Sequence, residues 1–143
     1  MPAEIYDFVV VGSGAAALVA ALVASAAGLS VIILEKTDRI GGTSAMSGAG
    51  TWIPANHVAR AAGISDTSEE ALAYLHSAAP DGWADKEEPL WRAFVTHAPR
   101  MLEFVEEHTP LRYELIDNPI RSPNIPAASG SVAWSRHARS ADD

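Results

Sequence analysis

Apolar and polar positions follow two regimes along this chain. Between residues 6 and 35, YDFVVVGSGAAALVAALVASAAGLSVIILE, two short apolar runs rich in β-branched residues flank a longer run of Ala, Leu and Val. The runs 8–11 and 31–34 read as strands, because unbroken apolar stretches of that length are expected where a parallel strand is covered on both faces. The stretch from Ala15 to Ala27 reads as a helix whose small side chains let it lie close on such a sheet. Gly12-Ser13-Gly14 separates the first strand from the helix, and Gly28 separates the helix from the second strand. Strand, helix and strand in that order predict a parallel βαβ unit.

Beyond residue 55 the period becomes helical. Asn56 to Ala62 reads as a short helix ending at Gly63. Asp66-Thr67-Ser68-Glu69-Glu70 opens a clearer one, with Thr67 and Glu70 at capping-box spacing, an apolar face of Ala71, Leu72 and Leu75, and a stop at Pro80-Asp81-Gly82. A third helix is expected from near Glu88, with Pro89 in its first turn and Leu90, Trp91, Phe94, Val95, Ala98, Met101, Leu102 and Val105 recurring at three and four. Pro99 is expected to kink it. Its aromatic stripe reads as core, so Trp91 and Phe94 are assigned no chemistry. Tyr113 to Ile116 reads as a short strand. From Pro119 onwards apolar periodicity stops, which predicts a disordered tail.

The glycine turn brings in the chemistry. A turn that tight needs residues tolerant of unusual φ, and a nucleotide pyrophosphate reaches the backbone only where no Cβ intervenes, needs that Gly12 and Gly14 meet. Ala17 takes the third glycine position. The helix after the turn presents free N–H groups and the positive end of its dipole to phosphate. Glu35 ends the second strand 23 residues beyond Gly12, where a ribose-binding carboxylate belongs. Glycine and alanine meet in many ordinary helix–strand turns; here the strand, turn, helix, second strand and acid fall in register together. A carboxylate at that place accepts from a free ribose diol and repels a 2′-phosphate, which disfavours NADP and leaves FAD or NAD.

The next stretch, KTDRIGGTSAMSGAGTWIP from Lys36 to Pro54, separates those two. An NAD domain has no need of a second Gly/Ser/Thr-rich loop directly after the ribose acid, whereas the ribityl chain and ring of FAD require one. Gly41 and Gly42 let the backbone come close, Thr43, Ser44 and Ser47 supply hydroxyls, and Gly48 and Gly50 leave room for a flat ring. Met46, Trp52 and Ile53 are too apolar for a flexible linker.

At these residues the chain resembles the FAD-dependent oxidoreductases of the fumarate reductase and 3-ketosteroid dehydrogenase type. The resemblance rests on VVGSGAAAL, LEKTDRIGGTSAMSGAGTWIP and AGISDTSEEALAYL, and runs from about Tyr6 to Pro119. SGAGTWIPAN looks most like the ketosteroid dehydrogenase branch, since fumarate reductases usually carry Asn where this chain has Thr43. The resemblance implies an α/β fold, a Rossmann-like βαβ segment of a doubly wound parallel sheet, incomplete here and extended by helices. It further implies that Gly12, Gly14, Ala15 and Ala16 lie along the ADP pyrophosphate, that Glu35 holds the adenosine ribose and that Lys36 flanks it. Gly42, Thr43, Ser44, Ser47 and Gly48 would face the pyrophosphate, the ribityl chain and the flavin ring.

The resemblance stops near residue 119, dividing the chain into 1–118, the N-terminal part of an FAD-binding domain, and an unmatched 119–143. Where the ketosteroid dehydrogenase branch carries an aromatic pair with an active-site tyrosine, this chain has Ile120-Arg121, so no catalytic residue carries over. Read one base upstream with permitted codons, the tail yields Tyr-Pro-Gly-Gly followed by Val-Glu-Ala-Arg-Pro-Phe. That peptide resembles the family's continuation, so a frame-shifted tail is expected.

Composition narrows the remaining classes. A chain of 143 residues, 48% hydrophobic and 20% charged, is one globular domain at most. It has no cysteine, which excludes disulfides, thiol nucleophiles and iron–sulfur ligation. The net charge of −8 is uneven: residues 1–118 hold 7 basic and 16 acidic side chains, the rest 3 and 2. An acidic body argues against nucleic acid as partner. The histidines, His57, His76, His97, His108 and His137, lack ligand spacing, so no metal is expected. The run after Gly14 is too short to span a membrane, and MPAEIYD lacks the marks of a signal peptide, so a cytoplasmic location is expected. The function these readings favour is the FAD-binding portion of a flavin-dependent oxidoreductase, with a small apolar or steroid-like substrate in the full-length family and no activity of the chain alone. The alternative is a non-enzymatic module binding NAD or ADP.

Overall fold

The structure, a computed structural model, describes residues 4–47 and 50–115, together with the backbone of the strand 132–136. The chain divides into two units, Met1–Ala49 and Gly50–Asp143.

The first unit is the βαβ unit that the sequence predicts. Strand β1, Phe8–Val11, leads through the glycine turn into helix α1, Ala15–Ala26, and then to strand β2, Val31–Leu34. The strands pair in parallel, Phe8 opposite Val31 and Val11 opposite Leu34. Both ends of the register are pinned. Where the strands begin, the Asp7 N–H donates to the Ser30 hydroxyl at 3.0 Å, while the Ser30 N–H and hydroxyl donate to Asp7 Oδ2 at 2.9 and 2.6 Å. At the other end the Gly12 N–H donates to the Leu34 carbonyl at 2.7 Å. Helix α1 buries Ala21 and Ala24 against this ribbon, so the small residues do bring it close to the strands.

Burial of β1 departs from expectation. Val10 is buried, but Phe8, Val9 and Val11 are 40%, 52% and 82% exposed. The apolar run is that of a strand covered on both faces, yet the described residues of this unit bring one helix to two strands. A second difference lies in the glycine-rich loop, where Gly42–Met46 forms a 3₁₀ turn. Gly41 starts that turn at φ +112.

The second unit is built on a three-stranded antiparallel sheet. Strand β3 is Gly50–Trp52, and strand β4, Arg112–Leu115, falls within a residue of the predicted segment. Between them runs strand β5, Val132–Arg136, pairing Thr51 with Ala133 and Tyr113 with Ser135. The sequence placed that stretch in a disordered tail, where the structure has a strand. Apart from it, the expected disordered or frame-shifted tail 119–143 lies outside the described residues.

Three helices join these strands. Helix α2, His57–Ala61, is capped by Asn56, whose side chain accepts from the Ala59 N–H at 2.9 Å and donates to the Ile53 carbonyl at 2.7 Å. Helix α3, Ser68–Ala78, carries the predicted capping box: the Glu70 N–H donates to the Thr67 hydroxyl and the Thr67 N–H to the Glu70 carboxylate. Helix α4, Ala84–His108, begins four residues before the predicted start. Pro89 lies past its first turn and Pro99 in its interior. Each proline removes one N–H donor, and the helix continues through both, held by its buried face of Val95, Ala98, Leu102 and Val105. Leu102, Ala98 and Ile53 form the core of the unit, with Val58, Met101 and Tyr113 packed against it. The aromatic residues of the stripe lie outside that core: Phe94 is 36% exposed, and it and Tyr74 flank Trp52 with ring centroids 5.6 and 5.4 Å away. Leu90, counted in the same stripe, is 64% exposed. No helix among the described residues is long and apolar enough to cross a membrane.

Candidate nucleotide-binding groove

The carboxyl ends of β1 and β2 open into a groove of about 970 Å³, near the upper end of the range for small-molecule sites. Its walls come from the glycine turn, the segment after β2, and the 3₁₀ turn. Ligands of open α/β sheets bind in this position, outside the carboxyl ends of the strands.

Glu35 dominates the polar wall. Its Oε2 accepts from the Ser13 hydroxyl at 2.5 Å and its Oε1 from the Thr37 N–H at 3.0 Å. The Thr37 hydroxyl lies 3.1 Å from Oε1, but also 2.7 Å from the Arg39 carbonyl. A hydroxyl has one proton, and the shorter contact takes it. The Ser13 hydroxyl, the Thr37 N–H and, more weakly, the Lys36 N–H act on Glu35, out of about four acceptor positions that a carboxylate offers. What remains can receive a ribose hydroxyl. The Ser13 bond first, then the Thr37 N–H, pull the Glu35 carboxyl down to about 2 against the opposing effect of desolvation. It is ionised throughout the neutral range, as a ribose acceptor must be.

The opposite wall is backbone. Gly12 stands at φ +90 with open space where a Cβ would be, and Gly14, the N-cap of α1, has no side chain of its own to cap it. A Cβ added at Gly14 would come 3.6 Å from Ser44 Oγ, and one added at Gly42 would come 3.6 Å from the Gly14 backbone. The two glycine loops thus pack against each other at van der Waals distance, with the Ser44 hydroxyl between them. The Ala15 N–H, at the N-terminus of α1, donates to Ser44 Oγ at 3.1 Å. A phosphate reaching the first N–H of α1 would therefore have to take the place of the Ser44 hydroxyl.

Of the residues singled out from sequence, the groove brings together Gly12, Gly14, Glu35, Lys36, Gly42 and Thr43. Ala15, Ala16, Ser44 and Ser47 are not among its lining residues. Ala15 and Ser44 bond to each other, and the Ser47 hydroxyl donates to the Ser44 carbonyl at 2.8 Å, closing the 3₁₀ turn. Gly48 lies outside the described residues. The sequence missed Ser13, Thr37 and Arg39, all in the lining. Only the position of Ser13, between two motif glycines, was a signal for any of them.

A parallel βαβ unit with a glycine turn, an ionised acid after its second strand and a facing second glycine loop defines a dinucleotide-binding protein whose shape suits FAD. The chain belongs to the FAD binding domain family, whose match covers residues 7–141. The cofactor and family read from its sequence are borne out by that match and by its relatives. The chain is 46% identical over 112 residues to a 3-oxosteroid 1-dehydrogenase of Mycobacterium tuberculosis, covering 78% of this chain and 19% of that protein. To a 4-oxocyclohexanecarboxylate 2-dehydrogenase of Sinomonas cyclohexanicum it is 46% identical over 128 residues, 89% of this chain and 22% of that one. Among solved structures, a 3-ketosteroid delta1-dehydrogenase from Sterolibacterium denitrificans, in complex with 1,4-androstadiene-3,17-dione, superposes with a TM-score of 0.74 at 38% identity, over 92% of this chain and 23% of its own. The chain spans about a fifth of the length of the curated relatives it matches.

Proposed function

We propose that this chain holds the adenosine and pyrophosphate half of FAD in an oxidoreductase acting on a carbon next to an activated C=C or carbonyl, in a small apolar or steroid-like substrate. The observation that carries the reading is the Glu35 carboxylate, held ionised across the groove from a glycine loop. The substrate class follows from the relatives, two of which are named for oxo-substituted rings. Bound FAD would supply the hydride-transferring ring. The chain's own residues bind and orient: Gly12 and Gly14 admit the pyrophosphate to the backbone, Glu35 takes a ribose hydroxyl, Lys36 flanks it, and Gly42 and Thr43 bound the path towards the flavin. We assign no proton-moving group to any of them. The 143 residues by themselves therefore bind flavin weakly and catalyse no turnover, and the apolar faces left open on β1 favour self-association.

Expressing the chain, purifying it and recording its visible spectrum tests the reading, with FAD, NAD and ADP titrated in parallel. FAD should bind more tightly than either of the others, because only FAD extends along the second glycine loop. Equal affinity for ADP and FAD would favour a plain nucleotide-binding module. Glu35→Gln should weaken FAD by on the order of tenfold, through loss of a charge-assisted acceptor. Undiminished binding in that variant would take the ribose away from Glu35.

A further inference from the structure

Ser13 occupies the variable position between the two motif glycines and is 1% exposed. Its hydroxyl makes two bonds of opposite sense. It accepts the Gly41 N–H at 2.9 Å and lies 2.5 Å from Glu35 Oε2. A carboxylate oxygen only accepts, and an N–H only donates, so the serine proton is committed to Glu35. Gly41 in turn starts the 3₁₀ turn that carries Gly42 and Thr43 to the groove. One buried hydroxyl therefore joins the ribose end of the groove to the loop on its far wall.

We propose that Ser13 is a positioning residue for cofactor recognition, orienting the Glu35 carboxylate and coupling it to Gly41 and the loop that Gly41 launches. The inference rests on the FAD reading above and adds a residue to it. Removing the hydroxyl leaves Oε2 without its protein donor and the Gly41 N–H without its acceptor, so both walls loosen together. The acidity of Glu35 changes with it, because Ser13 is the largest influence holding that carboxyl at about 2 in place of its ordinary 4.5. Lys36, Asp38 and Arg39 are the other charged groups on the groove. Helix α1, the glycine turn and the 3₁₀ turn bring none.

The sign is fixed by the direction of the shift. A carboxyl depressed in the folded protein stays ionised as pH falls, until the medium approaches its lowered value; one released by Ser13→Ala protonates nearer 4.5. Carbon-13 NMR of the Glu35 carboxyl in the flavin-free chain reads this directly, and FAD titrations at about pH 7 and about pH 4 read its consequence. In Ser13→Ala the Glu35 midpoint should rise from about 2 towards 4.5. FAD affinity should fall on the order of tenfold at neutral pH and further in acid, where the parent chain still holds its ligand. Ser13→Cys, which keeps a weak donor, should fall between the two. An unmoved Glu35 midpoint in a folded Ser13→Ala chain overturns the proposal, as does loss of fold in both variants, which would make Ser13 a residue of stability alone. A Glu35 midpoint that follows Ser13 in a chain that binds no FAD supports the coupling and overturns the FAD reading, so the two failures are distinct.

Discussion

Gly14→Ala is expected to fold as the parent chain does and to lose roughly ten- to a hundredfold in FAD affinity. The backbone there is at φ −69 and ψ 173, a conformation open to any residue. The added methyl would sit 3.6 Å from Ser44 Oγ, an ordinary contact. Folding therefore has against it chiefly the poorer capping of alanine than glycine at a helix N-cap, about 1 kcal/mol. Binding has more against it, since Gly14 lines the groove and a methyl there stands where a pyrophosphate would approach the backbone. Losing a hydrogen bond to a charged group costs about 1.5–3 kcal/mol, which sets the range. Circular dichroism melts beside FAD titrations separate the two effects. An affinity equal to that of the parent would mean that the pyrophosphate does not pass Gly14.

Gly41→Ala should instead damage the fold of the first unit. Gly41 is at φ +112, outside the comfortable range of residues with a side chain, and its Cβ would come 2.6 Å from the Ala45 Cβ. Strain and overlap together should cost about 2–4 kcal/mol, unless the 3₁₀ turn moves. Movement is the more damaging outcome for binding, because that turn brings Ser44 to Ala15 and Gly42 to Gly14. Urea unfolding followed by far-UV circular dichroism measures the loss. A midpoint within error of the parent, with flavin still bound, would show that the loop adapts and that its glycine is not required.

The βαβ unit was legible nearly residue by residue, because each element has an apolar pattern of its own and the glycines stand at its ends. The capping box of α3 was legible for a similar reason, since both partners lie within one turn. The start of α4 was missed because Pro89 looked like a first-turn proline, while the helix begins earlier and tolerates the loss of one donor. Strand β5 was invisible because its pattern means little until the distant strands β3 and β4 flank it. The 3₁₀ turn was hidden in a composition that suits loop and turn alike. Within the groove, Glu35 announced itself by its distance from Gly12, whereas Ser13 and Thr37 act through single polar atoms whose partners only the folded chain reveals.

The Asp7–Ser30 clamp bears on the order in which the molecule is made. Its partners are 23 residues apart, and the entropy of closing a loop rises only with the logarithm of its length. The first unit can consequently close when little more than its own residues have emerged from the ribosome, whereas the sheet of the second must await residues 132–136. An early register must also be right, because a slip of one residue turns every side chain of β2 to the opposite face. By fastening the strands at the end far from the groove, Asp7 and Ser30 hold the register on which the nucleotide pocket at the other end depends.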